Sequence, residues 1–129
     1  MLNKSGITKT QYGAPRQILA NVELQYSVGV VVAAAVGVTV GTRKIAKAGT
    51  PLTGSLDART TPFTAAVTTD PSNAVGVLLH DVDVTDGPAN GTLLLFGFVN
   101  KARLESDVAA KITAPVATAL NAKVTFINA

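Results

Sequence analysis

The sequence has no cysteine, no tryptophan, a single histidine and little charge, with 15% of residues charged. The lack of cysteine excludes a disulfide framework, a thiolate metal site and a cysteine nucleophile. A histidine-based catalytic triad has one candidate base, His80. Because 47% of the 129 residues are hydrophobic, disorder throughout the chain is also excluded.

The hydrophobic residues are largely alanine and valine rather than leucine and phenylalanine. Burial contributes about 25 cal/mol per Å² of apolar surface, so small side chains contribute less per residue. A domain of this length and composition is therefore expected to gain stability by associating with other chains.

The formal charge of +3 is unevenly distributed. Basic residues precede the first acidic residue, Glu23, and the middle of the chain is acidic. Such a basic segment attracts an acidic partner, and a solvated tail is the alternative interpretation. The few aromatic residues do not alternate with lysine or arginine, so no stacking platform for a nucleic acid is predicted. The basic residues of this segment are Lys4, Lys9 and Arg16.

The stretch Val28–Val40 is nearly all apolar and is long enough to suggest a membrane helix. Its valines instead fall mostly on alternate positions, with glycine, alanine or threonine between them. Alternation of β-branched residues is typical of strands. We therefore predict one or two strands that turn near Ala33–Ala35, no membrane span, no signal peptide and a soluble protein of intracellular origin.

The remaining pattern predicts a mainly β protein, with an N-terminal arm over residues 1–27 and a single β-rich domain over residues 28–129. Glycine, proline and Asx residues separate short extended runs. The return strand Thr92–Val99 is nearly continuously apolar and is expected to be buried on both faces. The other predicted elements are strands at 44–48, 63–67, 74–85 and 123–128, a hairpin turn at 86–91, helical turns at 100–107, and a short helix within 108–120 interrupted by Pro115.

The search for catalytic, cofactor and metal sites predicts none. His80, Asp81 and Asp83 are the closest approach to a metal site. Strand alternation would place the two carboxylates on one face and the imidazole on the other, so an acidic strand end near a turn is favoured. Glycine patterns that bind phosphates or dinucleotides are missing. The chain is therefore not expected to be an enzyme.

Three segments, taken in order, resemble head decoration and head-fibre proteins of tailed phages, of the lambda type. They are Ala48–Leu52 with its Thr-Pro-Leu, Asn73–Thr85 with its Ala-Val-Gly start, and Gly97–Leu104 with its Gly-Phe-Val. The similarity spans about residues 44–127. It implies a compact β-tulip domain that carries a short helical segment.

The same resemblance implies a function without catalysis or cofactors. A homotrimer would bind the major capsid protein on the outer surface of the expanded head and clamp neighbouring subunits, so the chain would be made in the host cytoplasm and reside in the virion. In such proteins the N-terminal arm docks along capsid strands. The candidate docking residues carried over to this arm are Lys4, Lys9, Tyr12 and Arg16.

Two other functions remain open at this point. One is the base of a head fibre, or a surface-adhesion β-module that binds host carbohydrate, in which aromatic side chains would stack on sugar rings. The other is an aspartate-based hydrolase. Binding to expanded heads and the presence of a trimer would distinguish the decoration function from these two alternatives.

Overall fold

A computed structural model of the protein describes residues 17–21 and 23–128. Over this part of the chain, the fold is mainly β, as the sequence predicts, with two short helices. The strands are β1 (Tyr26–Val32), β2 (Val38–Val40), β3 (Arg43–Ala46), β4 (Pro51–Thr53), β5 (Thr64–Ala65), β6 (Gly76–Leu78), β7 (Val82–Asp83), β8 (Ala89–Asn100) and β9 (Val124–Ile127); the helices are α1 (Ser106–Ala109) and α2 (Ala114–Ala119).

The strand β8 is the centre of the larger sheet. That sheet has the order β1-β8-β6-β4-β5, and β9 also pairs with β8. The first part of β8 lies between β1 and β6, which are both antiparallel to it, and its last four residues pair with β9 in parallel. A smaller sheet has the order β2-β3-β7. The long apolar run of β8 thus reaches partners along its whole length.

The middle of β8 is buried on both faces. Successive side chains of a strand point to opposite faces, and Leu93 and Leu94 enter two different hydrophobic clusters. Leu94 packs in the cluster that includes Val108 and Val116 of the two helices. Leu93 packs in the cluster that includes Phe63 and residues of the smaller sheet. The expectation that this strand is buried on both faces is confirmed here, while Phe96, further along, is exposed.

The valine-rich stretch forms strands, as its alternation predicts. β1 is followed by a 3₁₀ turn at Ala34–Val36 and then by β2, so the turn lies where it is expected. Val30 and Val32 are buried, and Val31 between them is half-buried. Within residues 17–21 and 23–128, no helix has both the length and the apolar character needed to cross a bilayer.

The prediction of one strand over Ala74–Thr85 is wrong. The chain leaves the larger sheet after β6 and joins the smaller sheet as β7. At the break, the Asp81 carboxylate accepts a hydrogen bond from the Ala48 N–H at 2.7 Å. The polar side chain thus pairs with a backbone group outside any strand ladder, which the alternating pattern alone does not reveal.

The second helix is short, as expected, but Pro115 lies in its first turn rather than interrupting it. Proline suits this position because the first N–H groups of a helix have no internal partner. The Thr113 hydroxyl caps the helix by accepting from the Val116 N–H at 3.4 Å. Pro115 is therefore compatible with the start of the helix and does not break it.

The boundary drawn between residues 27 and 28 lies inside β1. Further upstream, Ile18 and Leu19 are buried in the first cluster, and Leu19 pairs with Val99 of β8. The burial of two large apolar side chains stabilises this attachment by about 1.5–3 kcal/mol each. The globular body therefore includes residues 18–21 and begins at least ten positions before the predicted boundary.

A candidate docking surface

Two exposed aromatic side chains, Tyr26 and Phe96, and the half-buried Phe98 form a surface at one end of the larger sheet. Tyr26 of β1 lies opposite Phe96 of β8, and the rings of Phe96 and Phe98 meet edge to face with centroids 6.3 Å apart. Tyr26 is 63% exposed and Phe96 is 44% exposed. We call Tyr26, Phe96 and Phe98 the aromatic face. Large apolar groups exposed together in this way mark interaction sites.

The aromatic face is exposed because the second hydrophobic cluster covers only part of the sheet. Tyr26, Val28, Val30 and Val32 alternate along β1, and their burial increases in that order from exposed to fully buried. The strand pairing shifts by one residue between Tyr26 and Ser27, which leaves Leu95 of β8 unpaired with β1. Such a bulge reorients the side chains that follow it.

The described chain begins beside the aromatic face. The Ala20 N–H donates to the Phe98 carbonyl at 2.8 Å, and the Asn100 N–H donates to the Ile18 carbonyl at 2.8 Å. Arg103 donates to the Gln17 carbonyl at 3.3 Å. Residue 17, where the basic segment joins the body, is therefore held at the end of β8. The candidate docking residues Lys4, Lys9, Tyr12 and Arg16 lie outside the described residues.

Side chains and loops cap the backbone at Leu19, beside the aromatic face, and at Gly29 and Val31, further along β1. The Leu19 N–H donates to the Gln17 side chain, and its carbonyl accepts from Arg103. Arg59 donates to the Gly29 carbonyl at 3.0 Å, and Val31 pairs with the loop that contains Phe63. Capped edges resist pairing with another strand. At this end of the sheet, the side chains of the sheet face are more open to solvent than these backbone groups.

The three segments that resemble decoration proteins meet around Gly49. The first two pair through β4 and β6, whereas β6 pairs with β8 at Leu93 and Leu94, before the third segment begins. The Gly49 N–H donates to the Leu78 carbonyl at 2.6 Å, and the Leu78 N–H donates to the Thr50 carbonyl at 2.9 Å. Gly49 also has Leu104, from the third segment, against its α-carbon. The segments thus form one packed unit.

The residues considered for a metal site have separate surroundings. His80 and Asp81 are exposed, and Asp81 holds the Ala48 N–H. Asp83 forms an ion pair with Arg43 and accepts from Thr85. The Thr85 hydrogen bonds, assisted by Arg43, lower the pKa of Asp83 from 3.8 to about 2. Over residues 17–21 and 23–128, no three histidine or acidic side chains converge.

The sequence gives no signal for one charged cluster in the structure. Lys47 contacts the carboxylates of Glu105 and Asp107 at 3.0 Å each. These hydrogen bonds, first from Asp107 and then from Glu105, raise the pKa of Lys47. The partners are about 60 positions apart in the chain, so only the fold reveals the contact. The cluster attaches the loop before Gly49 to helix α1, which gives it a structural role.

Comparison with models of protein families finds no match to this chain, and a search of curated proteins finds none either. The functional interpretation accordingly depends on the residues and on the geometry described above.

Proposed function

We propose that this protein is a capsid decoration protein of a tailed phage, which binds the outer surface of the expanded head as a trimer and joins neighbouring capsid subunits. The observation that carries the proposal is the arrangement of the three segments that resemble such proteins. They occur in the expected order, and they meet at Gly49, whose N–H donates to the Leu78 carbonyl and whose α-carbon packs against Leu104. The similarity therefore corresponds to a structural unit rather than to scattered short matches.

The aromatic face supplies a contact surface for this function. Tyrosine and phenylalanine are enriched at the centres of protein interfaces, where they bury large areas. Tyr26 and Phe96 are exposed and face the same side of the sheet. In this proposal they pack against the major capsid protein, and the basic segment that joins the body at Gln17 adds an electrostatic contribution.

In a trimer, a weak contact between each copy and the capsid is sufficient for stable binding. Linked binding sites that engage together raise the overall affinity by about 10²–10⁴. A small body with one exposed aromatic face can therefore remain on a capsid even when the contact of each copy is weak. Association of this kind would also supply the stability that the composition leads us to expect from other chains.

Co-sedimentation with expanded and unexpanded heads of the phage that encodes the chain tests the proposal. The intact protein is expected to pellet with expanded heads and to remain in solution with unexpanded ones. A variant that lacks residues 1–16 keeps Ile18 and Leu19, so it is expected to fold and to bind heads weakly. Equal pelleting of the truncated and intact proteins would contradict a docking role for the arm.

The double variant Tyr26→Ser/Phe96→Ser tests the aromatic face in the same assay. We expect it to lose most head binding without loss of fold, because both side chains are exposed. Val67→Ser is the control, since Val67 is 52% exposed and lies elsewhere on the surface. Full binding by the double variant would remove the aromatic face from the proposal.

One observation favours a second function, a carbohydrate-binding module at the base of a head fibre. Tyr26 and Phe96 are neighbouring exposed rings, and such rings stack on sugars. Saturation-transfer NMR with a panel of host-surface glycans distinguishes the two functions. Transfer to sugar protons that Phe96→Ser abolishes, together with no binding to heads, would favour this function over decoration.

A further inference from the structure

A groove of about 400 Å³ lies between strand β9 and helix α2, and Lys101, which follows the end of β8, also lines it. Three consecutive residues of β9, Val124–Phe126, line it on one side, and Ala114 and Ala117 of α2 line it on the other. A strand that contributes consecutive residues to a groove exposes its backbone there. The alanine side chains of α2 leave room beside that backbone.

The backbone of β9 offers unpaired hydrogen-bonding groups to this groove. The Lys123 carbonyl accepts from the Gly97 N–H at 3.0 Å, so Lys123 directs its backbone toward β8. Alternation along the strand directs Thr125 toward β8 as well, and Val124 and Phe126 away from it. The Val124 N–H donates a hydrogen bond to the Leu120 carbonyl. Among residues 17–21 and 23–128, the Val124 carbonyl and both backbone groups of Phe126 have no partner.

The one charged residue that lines the groove is basic. Lys101 lines it, and Lys111 and Lys123 each adjoin a lining residue in the sequence. None of the lining residues is acidic. The acidic residues nearest in sequence, Glu105 and Asp107, are paired with Lys47 outside the groove. A ligand with carboxylates would therefore be attracted to this groove, and a basic ligand would be repelled.

We propose that the groove binds an extended acidic peptide segment of a partner protein, which adds to β9 as a further strand and packs against helix α2. Strand addition takes its affinity from main-chain hydrogen bonds and its specificity from alternate side chains. Here the main-chain groups are those of Val124 and Phe126, and the small residues of α2 accept apolar side chains of the peptide. The basic residues around the groove select for carboxylates.

The charge also argues against two other occupants. The N-terminal segment of this chain carries Lys4, Lys9 and Arg16 and no acidic residue, so it would bring like charge to the groove. The β9 edge of a second copy carries Lys123 and no acidic residue, so it would bring no carboxylate to the groove. The inference does not depend on the proposed phage function, because it uses only the geometry and charge of this groove.

Binding of a short, capped and fluorescein-labelled peptide of alternating valine and glutamate to the full chain tests the proposal. We expect anisotropy to show saturable binding that weakens as salt increases. Amide NMR shifts are expected to change at Val124–Phe126 and along α2. The same peptide with lysine in place of glutamate, or with N-methyl groups on alternate backbone nitrogens, is expected not to bind.

The variants Ala117→Glu and Thr118→Glu form a matched pair. Both sites are exposed and lie on α2, but only Ala117 lines the groove. Ala117→Glu and Lys101→Glu are each expected to weaken peptide binding about tenfold, because they reverse local charge or fill the groove. Thr118→Glu is expected to retain nearly wild-type binding.

Several results would overturn the inference. They are no binding of the acidic peptide at millimolar concentration, equal binding of the lysine peptide, equal effects of Ala117→Glu and Thr118→Glu, and shifts centred on Tyr26 and Phe96. Tighter peptide binding after removal of residues 1–16 would show that the arm occupies the groove instead. Because the assay contains no phage heads, failure of head binding leaves its result intact.

Discussion

At the scale of single residues, the strongest constraints occur where a backbone conformation and a close contact coincide. Gly49 has a φ of 93°, a region that L side chains rarely adopt, and a β-carbon there would collide with Leu104. Gly41 also has a positive φ of 63°, but its surroundings are open. A substitution at Gly41 therefore tests backbone strain alone, whereas a substitution at Gly49 tests backbone strain together with the steric clash with Leu104.

The first prediction compares Gly49→Ala with Gly41→Ala. We expect the free energy of unfolding to fall by about 3 kcal/mol for Gly49→Ala, since backbone strain and overpacking add together. Gly41→Ala is expected to cost about 1 kcal/mol, from strain alone. Urea unfolding followed by circular dichroism measures both changes. Equal losses would show that Leu104 does not constrain Gly49.

The second prediction concerns Asp83, whose pKa is lowered from 3.8 to about 2 by Thr85 and Arg43. A carboxyl with a lowered pKa stabilises the folded state above its unfolded pKa, and this contribution disappears as the pH falls toward the folded pKa. We therefore expect the free energy of unfolding to fall between pH 4 and pH 2, and to fall less steeply in Asp83→Asn. Val67→Ser, an exposed substitution that removes no carboxylate, is expected to keep the wild-type slope. Identical slopes for wild type and Asp83→Asn would contradict this assignment.

At the scale of elements, the sequence predicted the strands that show a local alternation of apolar residues. The alternating valines predicted β1 and β2, and the alternation at the C-terminus predicted β9. The division of residues 74–85 into β6 and β7 was missed, because it depends on Asp81 pairing with Ala48, which is distant in the chain. The attachment of Ile18 and Leu19 to β8 was missed for the same reason. Long-range pairing is not encoded in periodicity.

The third prediction follows from that attachment. Removal of residues 1–16 is expected to leave the Tm unchanged, because it keeps Ile18 and Leu19. Ile18→Ala is expected to lower stability by about 2–5 kcal/mol, because Ile18 is fully buried. Thermal unfolding of these variants, with the exposed Leu24→Ala as control, provides the measurement. A large loss in the control, or none for Ile18→Ala, would contradict the described packing of the segment.

At the scale of the whole molecule, the candidate surfaces were only partly predictable. The sequence placed the docking residues on the basic arm, at Lys4, Lys9, Tyr12 and Arg16, and those positions lie outside the described residues. Sequence patterns do not distinguish buried from exposed aromatic residues. Phe63 is buried, but Tyr26 and Phe96 are exposed, because the second hydrophobic cluster covers only one end of the sheet. Which part of the sheet this cluster buries depends on tertiary packing, so it cannot be predicted from composition.

Two surfaces of the described residues carry the proposals. The aromatic face lies near the point where the chain enters the body, and the basic groove lies between β9 and α2. The first is apolar, with the backbone beside it capped at Leu19, which suits the broad contact proposed with a capsid. The second offers an open backbone edge and positive charge, which suits an extended acidic peptide. The two proposals can therefore be tested independently.

The most direct test of the decoration function is cryo-electron microscopy of expanded heads of the phage that encodes the chain, prepared with and without this protein. We predict additional density on the outer surface at three-fold or quasi-three-fold positions, with three copies of this fold at each site and the aromatic face against capsid protein. Reconstructions that are identical with and without the protein, at saturating concentration, would contradict the proposed function.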